Sequence, residues 1–319
     1  MAADLVCMGE PMLEYAALPP DAAGRTLYLE GHGGDTSNAA IAAARQGARV
    51  AYASAVGEDA AGEGFLALWA REGIDTTAVR RDPARPTAIY FIRYQGGRHH
   101  FHFYRAGSAA AGYRPEDVPE GMIAGARMFF ASGISQAISD SAADAVFRAI
   151  EIARANGVAV AYDTNYRPRL WPPARAAAVM HAAIARADYA LPSREDAEAL
   201  SGLADPDAIL DFYLRLGPRV VVLKLGAEGA LVASPAGRVR IPPHPCRPVD
   251  ATGAGDTFCG AFLARILAGD GPEAAARYAG VAAALATEGQ GAVAPMPRAE
   301  RVRAAMAAAA EARDGSRAG

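Results

Sequence analysis

The prediction of the fold starts from Val249-Asp250-Ala251-Thr252-Gly253-Ala254-Gly255-Asp256-Thr257-Phe258, that is VDATGAGDTF at residues 249–258. Two glycines flank Ala254, a carboxylate follows at Asp256, and apolar residues then recur at helical spacing. This pattern predicts a glycine-rich loop that leads into the first turn of a helix. The free N–H groups of Gly253, Ala254 and Gly255 would bind an anion at the positive end of the helix dipole. A carboxylate beside a phosphate is costly, so Asp256 is interpreted as a base that takes a proton from a hydroxyl during phosphoryl transfer.

Three other interpretations of this stretch differ in how well they fit the sequence. An ordinary helix with an acidic first turn is a common structure and remains an alternative. A dinucleotide-binding fingerprint fits poorly, because Phe258 stands where its third glycine belongs. A Walker P-loop is excluded, because the only lysine in the chain is Lys224 and no Gly-Lys-Ser/Thr occurs.

The composition favours a soluble cytoplasmic protein of one large domain or two smaller ones. The chain has 319 residues, of which 52% are hydrophobic, and its net charge of −3 argues against non-specific nucleic-acid binding. Its three widely spaced cysteines form no disulfide or zinc pattern. The first residues lack the features of a signal peptide, and no apolar run is long enough for a membrane helix. We therefore expect no membrane association.

Short apolar runs alternate with helical patterns along most of the chain, which predicts a parallel sheet with helices on both faces. Residues 1–304 are predicted to form a single domain, and residues 305–319 a flexible tail. Two segments, roughly 12–31 and 87–106, interrupt the alternation. The second is predicted to be a hairpin with a Gly-Gly turn, typical of a lid or a dimer surface.

Two further groups of polar residues lie where ligands bind in such sheets, beyond the carboxyl ends of the strands. In the first, a glycine turn opens a helix at residues 31–38, where Asp35 and Asn38 are candidates to hold sugar hydroxyls. Helix capping by Asp35 or Ser37 is the alternative. In the second, residues 163–171 (DTNYRPRLW) follow a strand, and Arg167 suits a carboxylate or a phosphate.

Two remaining motifs are less specific. Lys224, Gly226 and Gly229 follow the most hydrophobic strand and are candidates to approach a nucleotide, with a plain β-turn as the alternative. His100 and His102 share a strand face, but no third ligand is evident, so a lid strand is favoured over a metal site. If Tyr104 and Arg105 both reach a ligand, the strand must end or bend there, because neighbouring residues of a strand point to opposite faces.

In this order along the chain, the motifs resemble those of the PfkB carbohydrate kinases. Residues 33–38 (GGDTSN) are similar to the first signature of the family, and residues 250–258 (DATGAGDTF) to the second. The resemblance implies a ribokinase-like three-layer α/β/α sandwich with a mostly parallel central sheet and a small β-sheet lid. Within the family, residues 103–110, 132–135, 165–171 and 291–293 look most like the kinases of 2-keto-3-deoxygluconate.

The resemblance also implies a reaction, its cofactors and the roles of individual residues. It implies ATP-dependent phosphorylation of the 6-hydroxyl of a sugar acid, with Mg²⁺, and leaves a monovalent cation open. It implies Asp256 as the base, with the amides of Gly253, Ala254 and Gly255 as the anion hole. The implied sugar-acid ligands are Gly34, Asp35, Asn38, Tyr90, Tyr104, Arg105, Arg167 and Asp256. The implied nucleotide ligands are Asn165, Ser193, Lys224, Gly226, Gly229, Gly253 and Gly255. A homo-oligomer formed through the lid is also expected.

The family pattern is not matched everywhere, and other functions remain as alternatives. Where the family often has Asn-x-x-Glu, this chain has Ser193 and Asp196, so Asp196 is the candidate metal ligand. The alternatives are another sugar in the same family (fructose, ribose, a nucleoside or a dehydro-deoxygluconate), a sugar-acid sensor without activity, and a dinucleotide-dependent oxidoreductase. The presence of Asp256 with both glycines argues against the sensor, and the missing third glycine argues against the oxidoreductase.

Overall fold

The computed structural model describes residues 2–95 and 98–317, which form a large sheet packed between helices and a second, smaller sheet. The strands are β1 (Leu5–Met8), β2 (Met12–Leu18), β3 (Leu27–Gly33), β4 (Val50–Gly57), β5 (Val79–Asp82), β6 (Ala88–Gln95), β7 (Arg98–Tyr104), β8 (Met128–Ser132), β9 (Ala159–Asp163), β10 (Tyr189–Ala190), β11 (Val220–Lys224), β12 (Ala230–Ser234) and β13 (Gly237–Ile241). The helices are α1 (Asp35–Arg45), α2 (Ala60–Arg71), α3 (Glu120–Ala124), α4 (Gly133–Ala137), α5 (Asp140–Ala155), α6 (Pro173–Ile184), α7 (Arg194–Ser201), α8 (Pro206–Leu216), α9 (Ala254–Leu267), α10 (Pro272–Ala286) and α11 (Ala299–Arg317).

The large sheet has nine strands in the order β13-β12-β11-β10-β9-β8-β1-β4-β5. The pairs from β11 to β5 are parallel, and the β11–β12 and β12–β13 pairs at one edge are antiparallel, so that only β12 runs against the other strands. Strands that are covered on both faces have continuous apolar runs, as β4 and β8 show by being buried at every position. The predicted α/β fold with a mostly parallel sheet is confirmed.

Two separate hydrophobic cores lie on the two faces of this sheet. One contains side chains from α1, α2, α9, α10 and α11, among them Phe65 and Phe262. The other contains side chains from α5, α6, α7 and α8, among them Val146 and Met180. Each fully buried side chain of this kind stabilises the fold by roughly 1.5–3 kcal/mol. The helical layers therefore hold the ends of the central strands in fixed positions.

Helices α1 and α9 are in direct backbone contact one turn below their first residues. A Cβ atom built on Gly260 would lie 2.2 Å from the carbonyl oxygen of Ala39 and 2.7 Å from the Cβ of Ala42. Any larger residue at position 260 would push the two helices apart. Asn38 and Asp256 both lie in the first turns of these helices, so this contact sets the spacing between them.

The two segments that interrupt the α/β alternation form the small sheet, in the order β3-β2-β6-β7. The β6–β7 pair is antiparallel, as the predicted hairpin requires, and its Gly96-Gly97 turn lies outside the described residues. The β2–β3 pair is also antiparallel, whereas β2 and β6 pair in parallel. We call these four strands the lid.

The C-terminal part of the chain is helical as far as it is described. Helix α11 runs through residues 305–317, which fall in the segment that the sequence predicted to be a tail. Among all the helices of the described residues, none is both long and apolar enough to span a bilayer.

Candidate active site

Polar and charged side chains from distant parts of the chain meet at the carboxyl ends of the central parallel strands. Each of these strands ends at, or just before, a candidate site residue, and the first turns of α1 and α9 lie beside them. The strand-end residues are Glu10 after β1, Ser132 on β8, Asp163 on β9 and Lys224 on β11. This is the edge at which ligands bind in open α/β sheets.

The loop that precedes α9 is held in shape by the carboxylate of Asp250. One of its oxygens accepts hydrogen bonds from the Thr252 amide (2.9 Å) and hydroxyl (2.6 Å), and the other accepts one from the Gly291 amide (2.9 Å). The helix then starts after Gly253, whose φ of 75° is in the left-handed region that favours glycine. Its backbone therefore needs glycine at this position.

The amides that the sequence proposed as an anion hole are not equivalent. The N–H of Ala254 donates to the carbonyl oxygen of Ala251 at 3.2 Å, which closes a turn. In the described part of the chain, the amides of Gly253 and Gly255 have no hydrogen-bond partner. These two amides, at the positive end of α9, are the donors that an anion would meet first.

Asp256 lies in the first turn of α9 and is half-buried. One of its carboxylate oxygens accepts a hydrogen bond from Asn38 Nδ2 at 2.8 Å. Burial, followed by the charge of the nearby Asp35 carboxylate, raises the pKa of Asp256 to about 7. A carboxylate with a pKa near neutrality is well matched to general base catalysis.

Neither Asp35 nor Ser37, the residues proposed as alternative caps, is the N-cap of α1. The N-cap is Gly34, with a φ of 101° and no side-chain cap. The Ser37 hydroxyl instead accepts a hydrogen bond from Trp69 Nε1 at 2.9 Å. Asp35 is buried, accepts one from Asn165 Nδ2 at 3.1 Å, and keeps its other carboxylate oxygen buried without a partner. That oxygen is available to a ligand hydroxyl.

Lys224 is not free at the end of β11. Its ammonium donates to Asp163 Oδ2 at 2.7 Å and lies 3.4 Å from the sulfur of Cys259. Burial is the largest single effect and disfavours the charged ammonium, but the charge and hydrogen bond of Asp163, together with smaller contributions from Cys259 and Asp196, raise the pKa of Lys224 overall. Lys224 therefore stays charged inside the site.

The loop after β9 is connected to the first turn of α7. Asp196 Oδ2 accepts hydrogen bonds from the Thr164 hydroxyl at 2.9 Å and the Tyr166 amide at 3.1 Å. Ser193 caps α7 by accepting a hydrogen bond from the Asp196 amide at 3.1 Å. Asn165 adopts a φ of 34°, a left-handed conformation that is uncommon for a residue other than glycine. Strain of this kind is often found at functional sites.

The two candidate arginines differ in their surroundings. Arg105 follows the end of β7, as the prediction of a strand end required, and forms an ion pair with the fully buried Glu10. Glu10 also accepts a hydrogen bond from the Ser108 hydroxyl at 2.6 Å. Arg167 is exposed, and its positive charge acts on the buried Asp35. The guanidinium of Arg167 is therefore more accessible to an incoming anion.

Two lid tyrosines were proposed as sugar ligands, and their environments differ. Tyr90 is buried and donates a short hydrogen bond to the buried Glu14. Tyr90 also approaches the glycine turn, since a Cβ atom built on Gly33 would lie 2.5 Å from its hydroxyl oxygen. Tyr104 is 65% exposed. Tyr90 therefore lies over the site, while Tyr104 lies at the edge of the lid.

His100 and His102 lie on strand β7 of the lid hairpin. Residues 100 and 102 are both exposed. In the described ranges, no group of three or more His, Cys, Asp or Glu side chains is arranged to hold a metal ion. A site for Mg²⁺ in this structure would use one or two carboxylates together with phosphate oxygens of a ligand, which is the usual arrangement for this ion. The Asp196 carboxylate, close to the strand ends, suits that role.

Sequence reasoning did not assign roles to Glu10, Glu14 and Cys259, although all three take part in the site. Glu10 pairs with Arg105, Glu14 with Tyr90, and Cys259 with Lys224. The only signal for Glu10 was its place directly after β1. Glu14 and Cys259 fall within regular elements whose periodicity predicts packing alone.

The sheet topology, the two free amides at the start of α9 and the adjacent carboxylate define the class of the protein: a phosphotransferase that acts on a hydroxyl group. Comparison with known proteins agrees with this class. The chain belongs to the pfkB family of carbohydrate kinases, because the sequence pattern of that family matches residues 3–299.

Two relatives and two solved structures illustrate the similarity. The chain is 35% identical to 2-dehydro-3-deoxygluconokinase of Thermoproteus tenax, with 92% of each chain covered. It is 30% identical to 2-dehydro-3-deoxygalactonokinase of Haloferax volcanii, with 89% of this chain and 91% of the relative covered. The PfkB protein from Polaromonas sp. JS666 superimposes with a TM-score of 0.86 at 32% identity, covering 95% of this chain and 100% of the other. A putative ribokinase II from E. coli, solved with ATP and Mg²⁺, gives a TM-score of 0.87 at 25% identity, covering 95% and 99%.

Proposed function

We propose that this protein is an ATP-dependent kinase that phosphorylates the 6-hydroxyl of 2-keto-3-deoxy-D-gluconate. The observation that carries the proposal is the half-buried Asp256, with a pKa of about 7, next to the free amides of Gly253 and Gly255. The names of the relatives from Thermoproteus tenax and Haloferax volcanii support an acidic sugar as the substrate.

In the proposed reaction, the oxygen of the sugar hydroxyl forms a bond with the γ-phosphorus of ATP, and Asp256 accepts the proton that this hydroxyl loses. The bond between that phosphorus and the bridging oxygen breaks, and ADP leaves. The amides of Gly253 and Gly255 stabilise the negative charge of the transferred group. The hydrogen bond from Asn38 orients the carboxylate of Asp256. Mg²⁺, held through Asp196, would neutralise phosphate charge when bound.

The carboxylate of the substrate provides the reason for the arginines at the site. Arg167 is the proposed partner of this carboxylate, because it is exposed and its guanidinium can form two parallel hydrogen bonds. Arg105 is already neutralised by Glu10, so we propose that it donates a hydrogen bond to the sugar without adding net charge. Asp35, Asn38, Tyr90, Tyr104 and the backbone of Gly34 would contact the middle of the sugar.

The nucleotide is proposed to lie on the side of the site formed by β11 and α7. Gly226 and Gly229 have φ values of 55° and 91° and give the backbone a tight turn there. Asn165, Ser193 and Lys224 remain proposed nucleotide-side residues, although the ammonium of Lys224 is engaged by Asp163. Whether turnover depends on a monovalent cation is measured in the same assay of product formation.

The lid is the proposed interface between subunits of a homo-oligomer. Leu27 and Leu29 on β3, and Phe103 and Tyr104 on β7, are between 43% and 65% exposed, which is unusual for side chains of this size. A cytoplasmic location is proposed because the reaction needs ATP. Light scattering of the protein and of a Leu27→Ser, Leu29→Ser variant would test the interface: the variant should be monomeric, and an unchanged mass would remove the lid from the assembly.

The function is tested by measuring ATP-dependent product formation from 2-keto-3-deoxygluconate, its galactonate epimer, fructose, ribose and adenosine. Turnover of the sugar acids alone would support the proposal. Turnover of fructose or ribose would support the runner-up, another sugar of the same family, and would remove a substrate carboxylate from the role of Arg167. The Asp256→Asn variant should lose turnover by orders of magnitude while it still binds ATP.

A further inference from the structure

The ion pair between Lys224 and Asp163 is largely buried. The side chains of Lys224 and Asp163 are 13% and 4% exposed. Both also contact Cys259, since its sulfur lies 3.4 Å from the Lys224 ammonium and 3.3 Å from Asp163 Oδ2. Three elements, β9, β11 and α9, are thus connected through one buried cluster.

This cluster lies next to the first turn of α9, which contains Asp256. A Cβ atom built on Gly255 would be 3.9 Å from the Lys224 ammonium. Cys259 is three residues after Asp256 on α9, so both side chains lie on one face of the helix. A cation near the positive end of a helix is unfavourable, and the Asp163 carboxylate compensates for it.

The charges that face Asp256 come from every element packed around it. Asp35 of α1 and Asp163 of β9 are carboxylates that raise its pKa, Lys224 of β11 is the cation that lowers it, and Asn38 donates a hydrogen bond that also lowers it. From the lid, Tyr90 faces Asp256 as a phenol whose pKa is raised mainly by burial, so it stays neutral. Lys224 is therefore the positive charge that offsets two neighbouring carboxylates.

We propose that Lys224 and Asp163 act as a positioning pair for Asp256. This ion pair fixes the start of α9 and keeps Asp256 able to accept a proton at neutral pH. The inference rests on the proposed role of Asp256 as the base. It assigns Lys224 a function that does not depend on contact with ATP. Without the ammonium, two buried carboxylates would face Asp256 and hold it in the protonated, inactive form.

The first test is the pH dependence of kcat for the wild type, Lys224→Met, Asp163→Asn and the double variant. Loss of the cation should move the acidic limb to higher pH by about one unit, and loss of the carboxylate should move it to lower pH by a similar amount. The double variant removes one charge of each sign, so its limb should return close to that of the wild type. Equal losses of kcat at every pH, or a rise confined to the KM for ATP, would overturn the inference.

The second test needs neither turnover nor a variant that folds poorly. Lys224 is the only lysine in the chain, so protein labelled with [ε-¹³C]lysine gives a single Cε resonance. Its chemical shift should show an inflection near pH 7, where Asp256 titrates, while staying in the range of a charged ammonium. Asp256→Asn should abolish that inflection, whereas the exposed Asp144→Asn on α5 should leave it unchanged. An inflection that persists in Asp256→Asn, or is absent from the wild type, would refute the coupling.

The two tests separate this inference from the proposed function. If none of the sugars is phosphorylated but the Lys224 Cε resonance titrates as expected, the proposed substrate is wrong and the coupling between Lys224 and Asp256 is supported. If a sugar acid is phosphorylated and neither the limb nor the resonance moves, the pair is a structural ion pair alone.

Discussion

Replacing Asp256 with asparagine should make the protein more stable at alkaline pH while it abolishes turnover. The folded state raises the pKa of this carboxyl from 3.8 to about 7, chiefly because the group is buried. Its contribution to the free energy of unfolding is therefore fully present below pH 3.8 and is lost as the pH rises towards 7. Asparagine has no charge to bury and can still accept the hydrogen bond from Asn38.

The size of this effect follows from the shift in pKa. A difference of about 3 pH units, at 1.36 kcal/mol per unit, corresponds to about 4 kcal/mol above pH 7. This value is a ceiling, because solvent reaches the half-buried carboxyl and because Asp35 shares the titration. The difference in stability between variant and wild type should thus be larger at pH 8 than at pH 4.5.

Urea denaturation of both proteins at the two pH values measures the effect, and Asp144→Asn, an exposed site on α5, is the matched control. The control should change stability by less than about 0.5 kcal/mol at either pH. If Asp256→Asn shifts the unfolding midpoint equally at pH 4.5 and pH 8, the carboxyl does not carry a raised pKa, and the argument for a base tuned by burial is refuted.

Three further substitutions test other parts of the site. Gly34→Ala should lower the free energy of unfolding, measured by urea denaturation, by about 2–5 kcal/mol, because Gly34 has a φ of 101° and a Cβ atom there would lie 2.3 Å from the Glu10 carbonyl oxygen. The control Gly47→Ala, at a φ of 93° with no atom near the new Cβ, should lower it by only about 1–2 kcal/mol. Equal losses for the two variants would contradict the clash at Gly34. Glu10→Gln leaves Arg105 without its ion-pair partner and should destabilise the fold by about 3–5 kcal/mol, whereas an unchanged thermal midpoint would show that the pair is dispensable. Arg167→Ala should raise the KM for the sugar acid by roughly 10–100-fold, the loss of one charge-assisted hydrogen-bonding group, and leave the KM of any neutral sugar unchanged; an equal rise for both would remove Arg167 from carboxylate recognition.

The sequence predicted the elements of the large sheet because local patterns encode them. Apolar runs and glycine stops give β1, β4, β8, β9 and β11, and the anion loop gives the start of α9. β5 was not predicted, because its residues Val-Arg-Arg-Asp form a polar edge strand that lacks an apolar run. The parallel β2–β6 pair was not predicted either, because it joins segments far apart in the chain and no local pattern records it.

Contacts within the site were harder to predict than the residues that make it. Arg105 and Arg167 looked equivalent in the sequence, yet the buried Glu10 distinguishes them. Likewise, the sequence left helix capping by Asp35 as an alternative to binding a sugar hydroxyl, but Gly34 adopts a φ of 101° and is the N-cap itself. In the first case a long-range contact decides the environment of the residue, and in the second a backbone angle does. Neither can be predicted from the types of the neighbouring residues.

The contact between α1 and α9 at Gly260 bears on how such an enzyme diversifies. At this contact the backbone of α9 lies directly against α1, which sets the spacing of Asn38 and Asp256. Mutations that accumulate in the lid or at the strand ends can therefore alter which sugar is accepted without disturbing the reacting carboxylate. Descendants of one ancestral chain could thus acquire new substrates by small steps, each of which keeps the capacity to transfer phosphate.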